Sequence, residues 1–261
     1  MREGSSILSK IKGNDCAVLG VGVSNLPLIE VLLGLGTKVT AYDEKSVEAL
    51  GDTAELLAKK GIELVTGEGA FDKVKEKVIF RSPGIRPDKG ALPEAVRTGA
   101  RLASEMELFF ELCPAKTYVI TGSDGKTTTT TLTHLFLSAQ KGREGLRAYV
   151  GGNIGAPLLP RVAEMTENDA AVLELSSFQL MGAWCDPYAA AITNITPNHL
   201  NWHTDMAEYI EAKLGAVGKS TKRVVLNADN EHCRTLDFGK EREYVYFSST
   251  KSGYLAVGYI L

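Results

Sequence analysis

Apolar and polar positions follow two different periods along the whole chain. Short apolar runs rich in β-branched residues predict buried strands, and the segments between them carry apolar residues at helical spacing. This alternation predicts an α/β fold built on parallel sheets. The predicted strands are Asp15–Gly20, Lys38–Asp43, Ile62–Val65, Val78–Phe80, Tyr118–Ile120, Arg147–Val150, Asp169–Glu174, Tyr188–Ile192 and Arg223–Asp229. Beyond Asp237 the pattern becomes irregular.

A glycine-bounded turn follows the predicted strand Tyr118–Ile120 and leads directly into a helix. Gly122 and Gly125 bracket this turn, and Lys126 and Thr127 open the helix. Such a turn aims backbone N–H groups at one point, and the helix N-terminus adds about half a positive charge there. A nucleotide phosphate suits this geometry, with Lys126 reaching the phosphates and the Thr127 hydroxyl ligating magnesium. The predicted nucleotide-binding residues are Gly122, Ser123, Asp124, Gly125, Lys126, Thr127 and Thr128.

The match to the general phosphate-loop pattern is incomplete. That pattern requires a first glycine where this sequence has Ile120, and only the shorter form T-G-x-x-G-K-T is present. The alternative interpretation is an ordinary glycine turn before a helix.

The first half of the chain contains a βαβ unit of the dinucleotide-binding type. Gly20 permits a tight turn after the first strand, and Gly22 allows a phosphate to approach the backbone. Asn25 replaces the third glycine of the fingerprint, which weakens the interpretation as a dinucleotide site. Asp43 ends the next strand, where an acid can bond a ribose hydroxyl or a uracil edge. The alternative is a crossover that binds no ligand.

A second loop of the first half is a candidate anion site. Ser82 and Gly84 follow the strand Val78–Phe80, at the end of a parallel strand where ligands bind in open α/β sheets. A rigid connecting turn is the equally weighted alternative. Pro114 then stops a helix just before the phosphate-loop strand. We therefore predict a Rossmann-like domain over residues 1–115 and a nucleotide-binding domain, similar to phosphate-loop NTPases, over residues 116–261.

Three polar side chains follow strand ends in the second half. Glu174 closes an apolar run, and a carboxylate there is the expected second anchor for magnesium. His199 lies in a polar loop after another strand, and Asn153 follows two glycines. The alternatives are a solvated carboxylate, a structural histidine and a bare turn. Lys213 lies on a helix and, by pattern alone, is a surface lysine.

Composition restricts the class of protein. The net charge is −3 over 261 residues, so no nucleic-acid or anionic-membrane surface is indicated. Four scattered cysteines form no C-x-x-C pair, which fits a reducing compartment and provides no metal framework. No signal peptide or membrane-spanning run is present. We expect a soluble cytoplasmic monomer without nucleic-acid or membrane partners.

Four motifs stand in a specific order: T-G-S-D-G-K-T-T, G-G-N-I-G, L-E-L-S-S-F-Q-L and N-I-T-P-N-H-L followed by Y-I-E-A-K. Their order and their residues resemble the motifs of the Mur ligases of peptidoglycan synthesis. The Ser-Ser-Phe-Gln-Leu run after Glu174 resembles the D-glutamate-adding branch, as do the first-half motifs around Ser24 and Ser82. The resemblance covers nearly the whole chain.

The resemblance implies an ATP-dependent ligase that joins D-glutamate to UDP-N-acetylmuramoyl-L-alanine through an acyl phosphate. It implies ATP and Mg²⁺ as cofactors. Lys126, Glu174, His199 and Lys213 would be catalytic, and Thr127, Glu174, His199 and a carbamylated Lys213 would hold metal. The implied substrate-binding residues are Val23, Ser24, Asp43, Ser82, Gly84, Asn153 and Ser176, and Asn227 and Asp229 would lie near adenine.

Mur ligases carry a third, C-terminal domain, and the resemblance places none within these 261 residues. We therefore expect this polypeptide alone not to complete the ligation. Two other functions compete with the ligase. A nicotinamide-dependent oxidoreductase would use the first-half fold, although the missing third glycine and the phosphate loop argue against it. A non-catalytic module would bind ATP or the UDP-precursor without completing the ligation.

Overall fold

The computed structural model describes residues 6–22, 25–140, 145–183 and 185–250. They form two compact units. The first contains the described residues up to Leu112 together with Leu159–Ala163, and the second contains Cys113–Leu158 and the described residues from Glu164 onward. The segment Leu159–Ala163 thus belongs to the first unit, whereas the sequence-based division at 115/116 assigns it to the second domain.

The first unit is built on a five-stranded parallel sheet with the order β3-β2-β1-β4-β5. Strand β1 lies in the centre. The chain adds β2 and β3 on one side of it and then β4 and β5 on the other. Its elements are α1 (Ile7–Ile11), β1 (Cys16–Leu19), α2 (Asn25–Gly34), β2 (Val39–Asp43), α3 (Val47–Leu50), α4 (Asp52–Lys59), β3 (Glu63–Thr66), a 3-10 helix (Ala70–Lys73), β4 (Val78–Arg81), α5 (Leu92–Arg97), β5 (Arg101–Ala103) and α6 (Glu105–Leu112).

The second unit is built on a six-stranded parallel sheet with the order β11-β10-β9-β6-β8-β7. Its elements are β6 (Lys116–Thr121), α7 (Lys126–Ser138), β7 (Ala148–Gly152), β8 (Ala170–Glu174), α8 (Ser177–Leu180), β9 (Ala189–Ile192), α9 (Met206–Leu214), β10 (Arg223–Asn227), α10 (Glu231–Arg234) and β11 (Glu243–Phe247). A 3-10 helix (Leu159–Glu164), all but its last residue assigned to the first unit, precedes β8 in the chain. Ligands in such sheets bind at the carboxyl ends of strands where the strand order reverses, which here is β6.

The predicted α/β fold with parallel sheets is confirmed. All nine predicted strands are present, with ends shifted by a few residues. The irregular region beyond Asp237 contains β11, which pairs in parallel with β10 and was not predicted. Strand β5, an edge strand with only partial burial, was also missed. Among the described helices, none combines the length and hydropathy that a bilayer-spanning segment requires.

An ion pair between the half-exposed Arg147 and the buried Asp169 links the starts of two strands of the second unit. The Asp169 side chain is fully buried and accepts hydrogen bonds from the Arg147 backbone N–H at 3.0 Å and its Nη2 at 2.8 Å. The backbone N–H of Thr166 also donates to Asp169, at 2.8 Å. These donors, Arg147 first, lower the pKa of Asp169 from 3.8 to about 2.

We predict that Asp169→Asn destabilises the second unit by about 2 kcal/mol at pH 7. Folding lowers the pKa of Asp169, so its carboxylate stabilises the folded state at any pH above the pKa that it has in the unfolded chain. That contribution is lost as pH falls through about 2. Urea titration of both proteins should therefore show a stability gap that is full at pH 5 and shrinks between pH 4 and pH 2. Glu167→Gln, an exposed carboxylate two residues away, is the matched control. An equal loss in both variants would contradict the assignment.

Candidate functional site

The phosphate loop lies between the end of β6 and the start of α7. Gly122 has φ +147°, and a Cβ there would lie 1.9 Å from Thr193 Oγ1. Gly125 has φ +76° and precedes the first residue of α7, which is 13 residues long. No other residue type fits at Gly122, and Gly125 adopts a backbone conformation that favours glycine. The loop therefore presents a helix N-terminus with its partial positive charge.

The side chains at the start of α7 face solvent in part. Thr127 and Thr128 are exposed, and Lys126 is half-buried. The Lys126 ammonium donates to the Ser123 carbonyl at 2.9 Å. These three residues are placed where the sequence analysis expects phosphate and magnesium contacts, and their assignment stays a prediction.

Two N–H groups of the phosphate loop are already bonded within the protein. The Ser123 N–H donates to the Asn194 carbonyl at 2.9 Å, and the Asp124 N–H donates to Asn194 Oδ1 at 2.9 Å. From the sequence we expect these N–H groups to face a phosphate. In the structure they donate to Asn194 in the loop after β9, and the assignment of Ser123 and Asp124 to a nucleotide stays a prediction.

Glu174 is a buried carboxylate at the end of β8, beside the end of β6. It is 2% exposed and lies opposite Ile120 in the strand register. Asn153 Nδ2 donates to its Oε1 at 3.0 Å, while Oε2 is buried and has no hydrogen-bond partner among the described residues. A cation is the natural partner for a buried, unsatisfied carboxylate oxygen. The interpretation of Glu174 as a solvated strand-end carboxylate is therefore wrong.

Strand β7 approaches Glu174 closely through its glycines. The Asn153 N–H donates to the Glu174 carbonyl at 2.7 Å. Gly152 has φ +94°, and a Cβ there would lie 2.2 Å from the Glu174 carbonyl oxygen. The G-G-N turn thus positions the Asn153 amide on Glu174. Ser176, two residues later, caps α8 with Gln179 in a reciprocal capping box.

Lys213 is a buried lysine, so its interpretation as a surface residue is wrong. It is 1% exposed on α9. Its Nζ donates to the Gly122 carbonyl at 2.7 Å and lies 4.6 Å from the centre of the Tyr209 ring. Burial, and then the charge of Lys126, lower the pKa of Lys213 to about 7. A substantial fraction of this amine is neutral, and hence nucleophilic, at neutral pH.

His199 lies on the exposed part of the loop after β9. Its φ of +55° is unusual for a residue with a side chain and costs about 1 kcal/mol or more. Its ring contacts Phe178, with centroids 4.9 Å apart. The described residues contain no group of three His, Cys, Asp or Glu side chains that could hold a metal by themselves. A metal ion here would need a hydroxyl, a modified lysine or phosphate oxygens as further ligands.

The first unit gathers its candidate residues at the carboxyl ends of β1, β2 and β4. Asp43 Oδ2 accepts from the Val21 N–H at 3.0 Å. A Cβ on Gly20 would lie 2.9 Å from Ser82 Cβ, so these two turns pack directly together. Asn25 donates to the Leu19 and Gly20 carbonyls, at 3.0 and 2.7 Å. Gly84 borders open space, and Val23 and Ser24 lie outside the described residues.

The two residues predicted near adenine have local partners. Asn227 Nδ2 donates to the Thr193 carbonyl at 2.9 Å, which links β10 to the loop after β9. Asp229 accepts from Ser248, Ser249 and Thr250 at 2.6–3.0 Å, and these donors, Ser248 first, hold the pKa of its carboxyl well below its usual range.

Sequence reasoning missed several residues that shape the site. Thr193, Asn194 and Thr196 contact the phosphate loop, and Tyr209 reaches Ser123. His203 is buried and bonds Ser177 Oγ through Nε2 at 2.9 Å. Only the polar run N-I-T-P-N-H after an apolar strand signalled this loop. The pairing of β9 with β6 decides which residues of this loop contact the phosphate loop. The spacing of apolar residues in the sequence does not show that pairing.

Residues 120–257 match the family model described as the Mur ligase middle domain. The chain is 45% identical over 241 residues to UDP-N-acetylmuramoylalanine--D-glutamate ligase of Ruminiclostridium cellulolyticum, covering 91% of this chain and 51% of the relative. The enzyme of the same name from Clostridium perfringens is 45% identical over 245 residues, with 93% and 53% covered. The chain therefore spans about half the length of the curated relatives it matches.

A solved structure supports the fold. The crystal structure of UDP-N-acetylmuramate:L-alanyl-gamma-D-glutamyl-meso-diaminopimelate ligase from Neisseria meningitides matches with a TM-score of 0.53 and 18% identity, covering 90% of this chain and 78% of that chain. At this identity the match bears on the fold alone.

We predict that Gly152→Ala destabilises the second unit by about 2–4 kcal/mol, because the new methyl group overlaps the Glu174 carbonyl and the backbone conformation disfavours alanine. Thermal unfolding checks this. Gly34→Ala is the control, since Gly34 ends α2 without a positive φ and a Cβ there would meet no atom within 4 Å. A Gly152→Ala protein as stable as the control would show that β7 does not approach Glu174 this closely.

Proposed function

Because this chain belongs to the Mur ligase family of ATP-dependent amide-bond ligases, we propose that it carries the ATP and UDP-precursor sites of a D-glutamate-adding ligase. The substrates would be UDP-N-acetylmuramoyl-L-alanine and D-glutamate, as the names of its relatives indicate. The observation that carries the proposal is the buried Oε2 of Glu174, which has no hydrogen-bond partner among the described residues and lies at the end of a strand that pairs with β6. A magnesium nucleotide would supply the cation that such an oxygen favours.

In this proposal Lys126 would hold the phosphates, and Thr127 and Glu174 would hold one magnesium ion. His199 and a carbamylated Lys213 would hold a second. Bound magnesium would supply charge neutralisation for phosphoryl transfer, whereas the protein positions the reacting groups. Support comes from the burial of Glu174 and Lys213 and from the bond between Lys213 Nζ and the phosphate loop.

The lowered pKa of Lys213 supports its carbamylation, because a neutral amine reacts with carbon dioxide. After the ammonium has lost one proton, the neutral amine attacks carbon dioxide: an N–C bond forms, one C–O π bond breaks, and the nitrogen releases a second proton, so that the original cation becomes an anionic carbamate. An anion there relieves the repulsion between Lys213 and Lys126 that lowers the pKa of Lys213. It also adds oxygen ligands for a metal, where the described residues form no group of three His, Cys, Asp or Glu side chains that could hold one.

The first unit holds the uridine diphosphate. Val23, Ser24, Asp43, Ser82 and Gly84 line this site in our proposal, supported by the packing of the Gly20 turn on Ser82. The remaining contacts are assigned to Asn153 and Ser176 for the muramoyl-alanine end and to Asn227 and Asp229 for adenine.

The proposed reaction has two steps. The carboxylate of the UDP-precursor attacks the γ-phosphorus of ATP, and ADP leaves as an acyl phosphate forms. The amine of D-glutamate then attacks the acyl carbon, and phosphate leaves as the amide bond forms. Because the chain spans half the length of its relatives, a second candidate is a module that binds ATP or the precursor without completing these steps.

We predict that this chain binds MgATP and that Lys126→Ala weakens binding at least about tenfold, because a charge-assisted contact to phosphate is lost. Glu174→Gln should weaken binding only when magnesium is present. Isothermal titration calorimetry measures both, with the exposed Lys219→Ala as the matched control. Binding of the UDP-precursor with D-glutamate-dependent ADP release indicates the ligase, and binding without release indicates the module. A chain that binds no MgATP would refute the ligase, and one that binds neither MgATP nor the UDP-precursor would refute both.

We also predict that Lys213 adds one carbamate in bicarbonate buffer, more at pH 8 than at pH 6. The sign follows from its pKa of about 7, since the nucleophilic neutral amine predominates above that pH. Native mass spectrometry at both pH values checks this. Lys213→Arg is the control, because guanidinium stays protonated and does not add carbon dioxide. Equal masses for the two proteins at pH 8, beyond the substitution itself, would disprove the modification.

A further inference from the structure

The phosphate loop is gripped by the loop Thr193–Thr196, which follows β9 and forms hydrogen bonds with it. Asn194 makes three of these contacts. Its Oδ1 accepts from the Asp124 N–H at 2.9 Å, its Nδ2 donates to the Asp124 carbonyl at 3.2 Å, and its own carbonyl accepts from the Ser123 N–H at 2.9 Å. The amide side chain of Asn194 therefore pairs with Asp124 as a neighbouring strand would.

The Ser123 hydroxyl reinforces this grip. It donates to the Thr196 carbonyl at 3.0 Å, accepts from the Thr196 N–H at 2.9 Å, and lies 2.8 Å from the Tyr209 hydroxyl. A hydroxyl has one proton and two lone pairs, so all of its hydrogen-bonding capacity is used when Tyr209 donates. Ser123 is 6% exposed. Its side chain therefore belongs to the framework of the loop.

These contacts satisfy the loop from within the protein. Unpaired N–H groups that converge on an anion site carry a cost until the anion arrives. Here two such groups have protein acceptors, and Thr193 Oγ1 lies 2.6 Å from the Asp124 carbonyl. The loop consequently keeps one shape, with Gly125 and the start of α7 directed toward solvent.

We propose that Asn194 is a positioning residue that holds the phosphate loop in its nucleotide-accepting shape before nucleotide binds. That the ligand is a nucleotide rests on the proposed function. The hydrogen bonds between the loop Thr193–Thr196 and the phosphate loop do not depend on it. Phosphate contacts then fall to Gly125, Lys126 and Thr127. The same grip connects the phosphate loop to the segment that carries His199, three residues beyond Thr196.

Asn230 offers a matched control. Its amide forms the same kind of pair with the next residue of the same loop: Oδ1 accepts from the Ile195 N–H at 3.2 Å and Nδ2 donates to the Ile195 carbonyl at 3.0 Å. Asn230→Ala thus removes an amide pair of the same kind, together with the N-cap bond from the Cys233 N–H at 3.0 Å, without removing a contact to the phosphate loop.

The first measurement is amide hydrogen exchange in the nucleotide-free chain. Asn194→Ala should accelerate exchange at Asp124 about tenfold, because its acceptor is lost. Asn194→Asp keeps the acceptor oxygen but loses the donor to the Asp124 carbonyl, so it should retain more protection than Asn194→Ala. Asn230→Ala should leave exchange at Asp124 unchanged. Thermal unfolding establishes that each variant is folded. Unchanged exchange in Asn194→Ala, or equal acceleration in Asn230→Ala, would overturn the grip.

The second measurement is MgATP affinity by calorimetry. Asn194→Ala should weaken it about tenfold, while Asn230→Ala should leave it unchanged. Faster exchange with unchanged affinity would overturn the positioning role. If the unmodified chain binds no MgATP, the proposed function fails, and the exchange experiment alone still decides whether Asn194 holds the loop.

Discussion

The second unit depends on one close approach, that of the backbone at Gly122 to Thr193. The two strands behind it, β6 and β9, are neighbours in the sheet, so the turns that follow them must share the same space. Only a residue without a side chain fits between them. Glycine at this position therefore lets the turn after β6 bend over the end of β9. Without that bend, Lys213 would have no Gly122 carbonyl to reach and α7 would point elsewhere.

Charge burial is the second constraint, and it acts against stability. Glu174 and Lys213 are almost entirely buried, and removing a charge from water is costly unless a partner compensates. Lys213 meets this cost partly by losing its proton more easily, while Glu174 keeps one oxygen without a partner among the described residues. A fold selected for stability alone would not retain that arrangement. It fits a site whose final partner is a cation delivered with the ligand.

The sequence predicted what depends on local pattern and missed what depends on strand order. Buried strands such as β8 and β9 appear as apolar runs, and Gly-Lys-Thr marks the turn between a strand and a helix. Neither the burial of Lys213 nor the role of Asn194 follows from spacing. Lys213 is buried because α9 packs over the turn after β6, and strands far apart in sequence create that position. Strand β11 is an edge strand with half-exposed tyrosines, so its pattern lacks the continuous apolar run of a central strand.

Both sheets place a glycine turn after their central strand, yet their chemistry differs. The turn after β1 is approached by the carboxylate of Asp43, which accepts from the Val21 N–H. The turn after β6 is approached by two lysines, both bonded to its backbone: Lys213 to the Gly122 carbonyl and Lys126 to the Ser123 carbonyl. Lys126 and the N-terminus of α7 attract a triphosphate to this second turn. The carboxylate in the first unit favours a ligand that offers hydrogen-bond donors, such as a base edge or a ribose hydroxyl. The two turns therefore suit ligand groups of different chemistry.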